Sequence, residues 1–296
     1  MALEYRKFKL VNGKGTEYQL TDKAFKVFAN NPQGLGYSKT LSKIRLGDED
    51  LVYYTKFNLD DLSFELLFYD SKLSDKYQKY QEFINFLSFK PLYLLYQAPN
   101  SFTWYRRKVE SVSLSKSQVN YNDRMLHCNF VLTALSFWED NTSNIIETNN
   151  QTLEGGKIYP ITYPIVYGQS SVSNIGLTAV GLLESPLEIT INGLITDPAW
   201  TLYDENDNIY GRAKFIGTFD KVYVNSKETD EEIVLMRNNL KLDNPLSYQD
   251  LTIGSPNEIF ITFLKLQVGR SKITFFVGDN FVGNVKVEWR NRYVSI

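Results

Sequence analysis

The 296-residue sequence contains one cysteine, Cys128, and one histidine, His127. A single thiol forms no internal disulfide and no cysteine-based metal site, so folding is expected to need no oxidising compartment. A single imidazole excludes a two-histidine metal site and leaves one residue for every general-base role. No apolar run approaches the ~18 residues that span a bilayer. The opening Met1-Ala2-Leu3-Glu4-Tyr5-Arg6-Lys7 also lacks the apolar core and cleavage site of a secretory signal. The expectation is synthesis in a cytoplasm, with no membrane partner. Neither sign of charge prevails, with 32 Lys and Arg against 34 Asp and Glu and a formal net charge of −2. The basic surplus of a nucleic-acid binder is missing.

Aromatic residues are plentiful, at 15% of the chain with 20 Tyr and 19 Phe. Together with many Val, Ile and Thr they favour strands, and a mainly β protein is expected. Leu62, Phe64, Leu66 and Phe68 occupy alternate positions, as a half-buried strand requires. The period then changes. Leu73, Tyr77, Tyr80, Ile84 and Leu87, with Phe83 widening the stripe, place one apolar face on a helix over 71–89. Ser71 is the expected cap, and Pro91 ends the helix because it disfavours α geometry in the residue before it. Strands resume at Leu92 to Tyr96, Phe102 to Leu114, and a run with Leu126, Cys128, Phe130, Leu132 and Ala134 on one face.

The polar stretch from Glu139 to Lys157 has little apolar periodicity and reads as linker. The expected division is a domain over 1–140, a linker over 141–157 and a second domain over 158–296. Charge shifts across it, from +2 up to residue 150 to −4 beyond. The second half is β throughout. Leu187 to Ile191 alternates strictly before the expected turn Asn192-Gly193. Lys272 to Val277 and Asn284 to Trp289 flank Asp279-Asn280 as a hairpin would. Short, regularly spaced strands suggest a β-sandwich.

Catalytic parts are scarce. His127 alternates with core positions and Cys128 points to the opposite face, so the two form no nucleophile–base pair; both read as structural. Asp204-Glu205-Asn206-Asp207-Asn208 opens like a calcium loop, but Ile209 stands where the loop needs glycine and Phe215 where it needs glutamate. It reads as an acidic turn. Gly34-Leu35-Gly36 and Gly13-Lys14-Gly15 lack the companions that cradle phosphate and read as turns. Arg106-Arg107-Lys108 reads as a solvated or protein-contacting face. Trp104, Trp138, Trp200 and Trp289 are candidates for stacking on sugars, with core packing the competing use for Trp289. No enzyme, cofactor or metal site is expected.

The ordered series resembles siphophage distal tail proteins. It is carried by Pro32-Gln33-Gly34-Leu35-Gly36, the strand Leu62 to Tyr69, the helix segment Tyr77 to Phe83, Pro91 to Tyr96, Tyr105-Arg106-Arg107 and Leu135 to Trp138. The segment Val285 to Ile296 is similar to that family's last strand. The resemblance implies a ring-forming amino-terminal β domain with one helix and a carboxyl-terminal galectin-like β-sandwich. It implies a homohexameric ring at the distal end of a phage tail, joining the tail tube protein to the tail-associated fibre or lysin protein. Such proteins often support receptor-binding proteins. The alternatives are a carbohydrate-binding baseplate protein for host adsorption and a tail-tube subunit. If DNA passes through the ring without specific binding, the lumen should be acidic or neutral. Asp48, Glu49 and Asp50, with Asp60 and Asp61, sit at the ends of one expected hairpin and are the candidates to line or rim that channel.

Overall fold

The computed structural model describes residues 5–21, 27–70, 72–116, 119–120, 125–149, 172–249, 263–278 and 281–296. The chain divides into two compact units, Met1–Thr142 with Arg292–Ile296, and Ser143–Asn291. Each has its own hydrophobic core. The protein is mainly β, built from antiparallel sheets.

Unit 1 begins with β1 (Lys7–Val11), β2 (Glu17–Gln19), β3 (Val27–Gln33), β4 (Lys39–Leu46), β5 (Glu49–Phe57) and β6 (Leu62–Tyr69). The helix α1 (Leu73–Leu87) follows, then β7 (Leu92–Gln97), β8 (Tyr105–Leu114), β9 (Val119–Asn120), β10 (Met125–Ala134) and β11 (Trp138–Asp140). The main sheet runs β2-β1-β7-β8-β10-β6-β3, while β4 and β5 form a separate two-stranded hairpin. Alternation explains the core. On β6, Leu62, Phe64, Leu66 and Phe68 are buried, and their partners on β10 include Leu132, Phe130, Cys128 and Leu126. One face of both strands is thereby apolar.

The helix closes that face with most of the expected stripe and one exchange, Phe86 in place of Ile84. Tyr80, Phe83, Phe86 and Leu87 are buried, whereas Ile84 is 38% exposed. Phe83 lies 5.4 Å from Phe130 and 4.8 Å from Tyr18, ring centre to ring centre. The helix is turned so that the ring of Phe86, rather than Ile84, joins Tyr80, Phe83 and Leu87 in the core. Burial scales with apolar area, which favours two phenylalanines over one isoleucine. Lys76, on the same face, is also buried. The side chain of Leu73 and the expected cap Ser71 lie outside the described residues; Lys72 occupies the cap position without a side-chain hydrogen bond.

Unit 2 contains β12 (Asn144–Asn149), β13 (Val172–Ala179), β14 (Ser185–Thr196), β15 (Ala199–Tyr203), β16 (Ile209–Lys214) and β17 (Thr218–Asn225). It continues with β18 (Glu232–Arg237), β19 (Leu240–Lys241), β20 (Lys265–Leu266), β21 (Gly269–Phe276) and β22 (Gly283–Trp289). One sheet runs β12-β22-β14-β17-β18-β19 and the other β13-β21-β15-β16. Their alternate residues share one core, including Ile189, Val222 and Val287 from the first and Leu177, Trp200 and Phe275 from the second. This is a β-sandwich.

Four expectations change. The strands flanking Asp279-Asn280 form no hairpin, since β21 pairs with β13 and β15 and β22 with β12 and β14, in different sheets; Asp279-Asn280 itself lies outside the described residues. Asn144–Asn149, placed in the linker, is a strand paired with β22, while 150–157 lies outside the described residues. Arg292–Ile296 belongs to unit 1: its strand β23 (Arg292–Tyr293) pairs with β11 through Trp138↔Tyr293 and Glu139↔Arg292. Asn192-Gly193 is no turn. The strand β14 runs through it with a register shift against β17, and Gly193 at φ +126 brings its backbone against Val282 where a side chain would collide.

Candidate interaction site

The expected hairpin exists, and its construction determines what the acidic residues can do. The strands β4 and β5 pair from Lys39↔Phe57 to Leu46↔Glu49, with a register shift between Ser42 and Lys43. Gly47, at φ +67, makes the tip, and its carbonyl accepts a hydrogen bond from Arg45 Nε at 3.2 Å. At the base, Ser38 Oγ donates to Asp60 Oδ1 at 2.7 Å and Asn58 Nδ2 donates to Ser38 Oγ at 3.0 Å. Gly34, at φ +80, passes so close to the Asp61 carbonyl that a β-carbon there would sit 2.0 Å from its oxygen.

The carboxylates therefore fall into two groups at opposite ends of the hairpin. A nine-residue strand at ~3.3 Å per residue separates them by about 30 Å. Asp48 and Glu49 are exposed at the tip, and Asp50 pairs with Lys43 at 3.5 Å. Asp61 is exposed at the base, and Asp60 is partly buried. Asp60 also acts on Arg107. Burial pulls the Arg107 guanidinium down to about 10, and the charge of Asp60 opposes that fall.

Arg107 is the clearest departure from the expected basic face. Alternation turns it into the core at 2% exposure, where Nε donates to the Ser136 carbonyl at 2.7 Å and the guanidinium lies 5.5 Å from the Trp138 ring centre. Arg106, on the other face, pairs with Glu139 at 2.7 Å. The local signal was the strand period itself: one of three consecutive charges on a strand must point inwards when its face is covered.

The remaining candidates are placed plainly. His127 Nδ1 lies 2.7 Å from Glu65 Oε1, and Glu65 also accepts from Asn31 Nδ2 at 3.2 Å, linking β10, β6 and β3. Cys128 is buried on the opposite face. Asp204 Oδ2 accepts from the Asn208 side-chain amide at 2.9 Å and Oδ1 accepts the backbone N–H groups of Asn208 and Asn206, each at 2.8 Å, which makes an acidic turn and holds its carboxyl below the usual range. Among the described residues no cluster of three or more His, Cys, Asp or Glu is arranged to hold a metal ion, and no helix is long and apolar enough to cross a membrane. Trp138, Trp200 and Trp289 are buried and offer no face to a sugar. Trp104 is partly exposed, with Lys9 Nζ 4.8 Å above its ring. Phe102, expected at the start of a strand, instead precedes β8 and is 99% exposed.

Comparison with known proteins finds a family match over part of the chain. Residues 7–135 match the model described as distal tail protein, N-terminal domain. Among solved structures, a protein of the phage p2 baseplate in its activated conformation with calcium is similar at 16% identity. The alignment covers 98% of this chain and 99% of that one, with a TM-score of 0.62. The Dit protein of phage SPP1, described as a paradigm of the hub adsorption apparatus in phages infecting Gram-positive bacteria, is similar at 10% identity. There the coverage is 95% and 98%, with a TM-score of 0.62. At these identities the likeness is one of fold, and it extends over both units. No curated protein matches in sequence.

Proposed function

We propose that this chain, whose residues 7–135 match the model of a distal tail protein amino-terminal domain, is a structural subunit of a phage tail tip. In this reading, six copies close a ring through unit 1, and the ring connects the tail tube to the tail-associated fibre or lysin protein. Unit 2, read as galectin-like in fold only, supports receptor-binding proteins. The subunit is made in the bacterial host cytoplasm and resides at the distal end of the tail. The observation that carries the reading is the end-to-end correspondence with baseplate and hub proteins, in which both units are matched and almost nothing of either chain is left over. A tail-tube subunit would have no use for unit 2. A sugar-binding role finds less support now that most tryptophans are in the cores.

DNA passes through the ring without specific binding, and the hairpin carboxylates line or rim the passage. Asp48 and Glu49 are the best placed, being exposed at a projecting tip. Asp50 is already paired with Lys43, and Asp60 is shared with Ser38. Negative-stain microscopy with light scattering on the full chain tests the assembly. A six-fold ring is expected, and a strict monomer would overturn the reading. The full chain is required because Arg292–Ile296 completes unit 1.

A further inference from the structure

The β4–β5 hairpin leaves the main sheet on two short legs, residues 34–38 and 58–61, neither of which belongs to a strand. On the first leg Leu35 packs against the core of unit 1, which leaves Gly36 to Ser38 to turn. A β-carbon at Gly36 would meet nothing within 4 Å, and glycine turns at little steric cost. The two legs therefore form a hinge. One chain of polar contacts fixes it. Thr40 Oγ1 donates to Asn58 Oδ1 at 2.9 Å, Asn58 Nδ2 to Ser38 Oγ at 3.0 Å, and Ser38 Oγ to Asp60 Oδ1 at 2.7 Å. The chain ends at Asp60, whose carboxylate accepts no other hydrogen bond among the described residues.

Beyond Asp60 stands Arg107. The strands β6 and β8 flank β10, with Leu62↔Leu132 on one side and Val109↔Ala134 on the other, two spacings or about 10 Å apart. Alternation back from Leu62 and from Val109 gives Asp60 and Arg107 the same face of the sheet. Arg107 is 2% exposed, yet only its Nε is hydrogen-bonded, to the Ser136 carbonyl; its Nη groups have no acceptor among the described residues. Burial lowers its pKa, and the charge of Asp60 opposes that fall. A guanidinium fork is matched best by a carboxylate. We propose that Asp60 is a latch shared between Ser38 and Arg107, which holds the hairpin in one direction while bonded to Ser38 and lets it turn when bonded to Arg107. The serine bond keeps Ser38, Asn58 and Thr40 tied to the main sheet. The arginine bond neutralises a buried charge and releases that tie. Each arrangement leaves one partner unmet, so a small bias moves the carboxylate between them. The latch thereby sets how far the acidic tip at Asp48 and Glu49 stands from the main sheet.

The test measures the distance from the hairpin tip to α1 by pulsed electron spin resonance in the full chain. Spin labels are placed on Leu46→Cys and Gln81→Cys, both exposed positions, while the native Cys128 is buried. The labelled chain is diluted with unlabelled chain, so only distances within one chain are read. One dominant distance is expected without further substitution. Ser38→Ala removes the competing donor and should raise a second, displaced distance about tenfold relative to the first, the effect of losing one hydrogen bond to a charged group. Ser38→Ala/Asp60→Asn should lose that second distance, because a neutral amide does not pair with the guanidinium. Neither change touches a core side chain, so unit 1 folds in both. A Ser38→Ala chain that keeps one distance overturns the latch, and so does a second distance that survives Asp60→Asn. The latch lies within one chain, so a ring and a monomer give the same distances. Its failure leaves the assembly reading standing, and failure of the ring leaves the latch.

Discussion

Substitution on α1 distinguishes the aromatic face from the one its spacing suggests. Phe83 is fully buried against Tyr18, Phe68 and Phe130, so Phe83→Ala should cost ~3–5 kcal/mol in chemical denaturation. Ile84 is partly exposed, and Ile84→Ala should cost less than ~1 kcal/mol. Equal losses would show that the helix is rotated back to the expected stripe. The sequence displayed that a helix exists and that it is amphipathic. It left the rotation open because aromatic and aliphatic positions overlap within one turn. At the same scale, burial, reinforced by Glu188, raises the Tyr223 hydroxyl to about 12. The folded chain holds a proton that the unfolded chain releases near 10, so this contribution is complete below pH 10 and is lost as pH rises towards 12. In unit 1, burial raises Tyr18 to about 12 in the same direction. Arg107 acts oppositely: folded, it gives up its proton near 10 while the unfolded chain keeps it, so its burial penalty fades above pH 10. Burial also raises Tyr80 and Tyr105 in unit 1 and Tyr210 in unit 2, so unit 1 shares the alkaline loss, and Tyr223 carries the larger shift in unit 2. Tyr223→Phe should flatten the fall of its unfolding temperature between pH 9 and 11; an unchanged slope would remove Tyr223 as its cause.

Among the elements, the hairpin was legible and its surroundings were not. Acidic residues at both ends revealed it, but the register shift that sorts apolar from charged side chains is a backbone event with no compositional mark. Gly34 governs its entry. With φ at +80 and the Asp61 carbonyl in the way, Gly34→Ala combines left-handed strain with a collision. It should cost at least ~1–3 kcal/mol, read as a lower unfolding temperature for unit 1; a neutral result would mean that the β3–β6 junction shifts freely. The acidic tip has its own test. Asp48→Lys/Glu49→Lys in the assembled ring should gain double-stranded DNA affinity that weakens steeply with salt, by roughly one counterion per phosphate contact. Failure to gain it would place the tip away from the passage. The linker was misread for a related reason: Asn144–Asn149 is polar, but in the strand it pairs along the edge of a sandwich, where only one neighbour needs to be apolar.

At the scale of the whole molecule, two cores without a shared cluster should give two calorimetric transitions, and Phe83→Ala should lower only one of them. A single transition moving as a whole would show the units unfolding together. The return of Arg292–Ile296 to unit 1 also orders events in time. The strand β23, partner of β11, leaves the ribosome only after the ~150 residues of unit 2 have been made, a delay of roughly 7–30 s at ~5–20 residues per second. Through that interval unit 1 stands with its first part synthesised and its final pairing unmade. A nascent chain broken off within unit 2 never acquires that pairing, so truncated products carry an unfinished unit 1 even though nearly all of its own residues have been made.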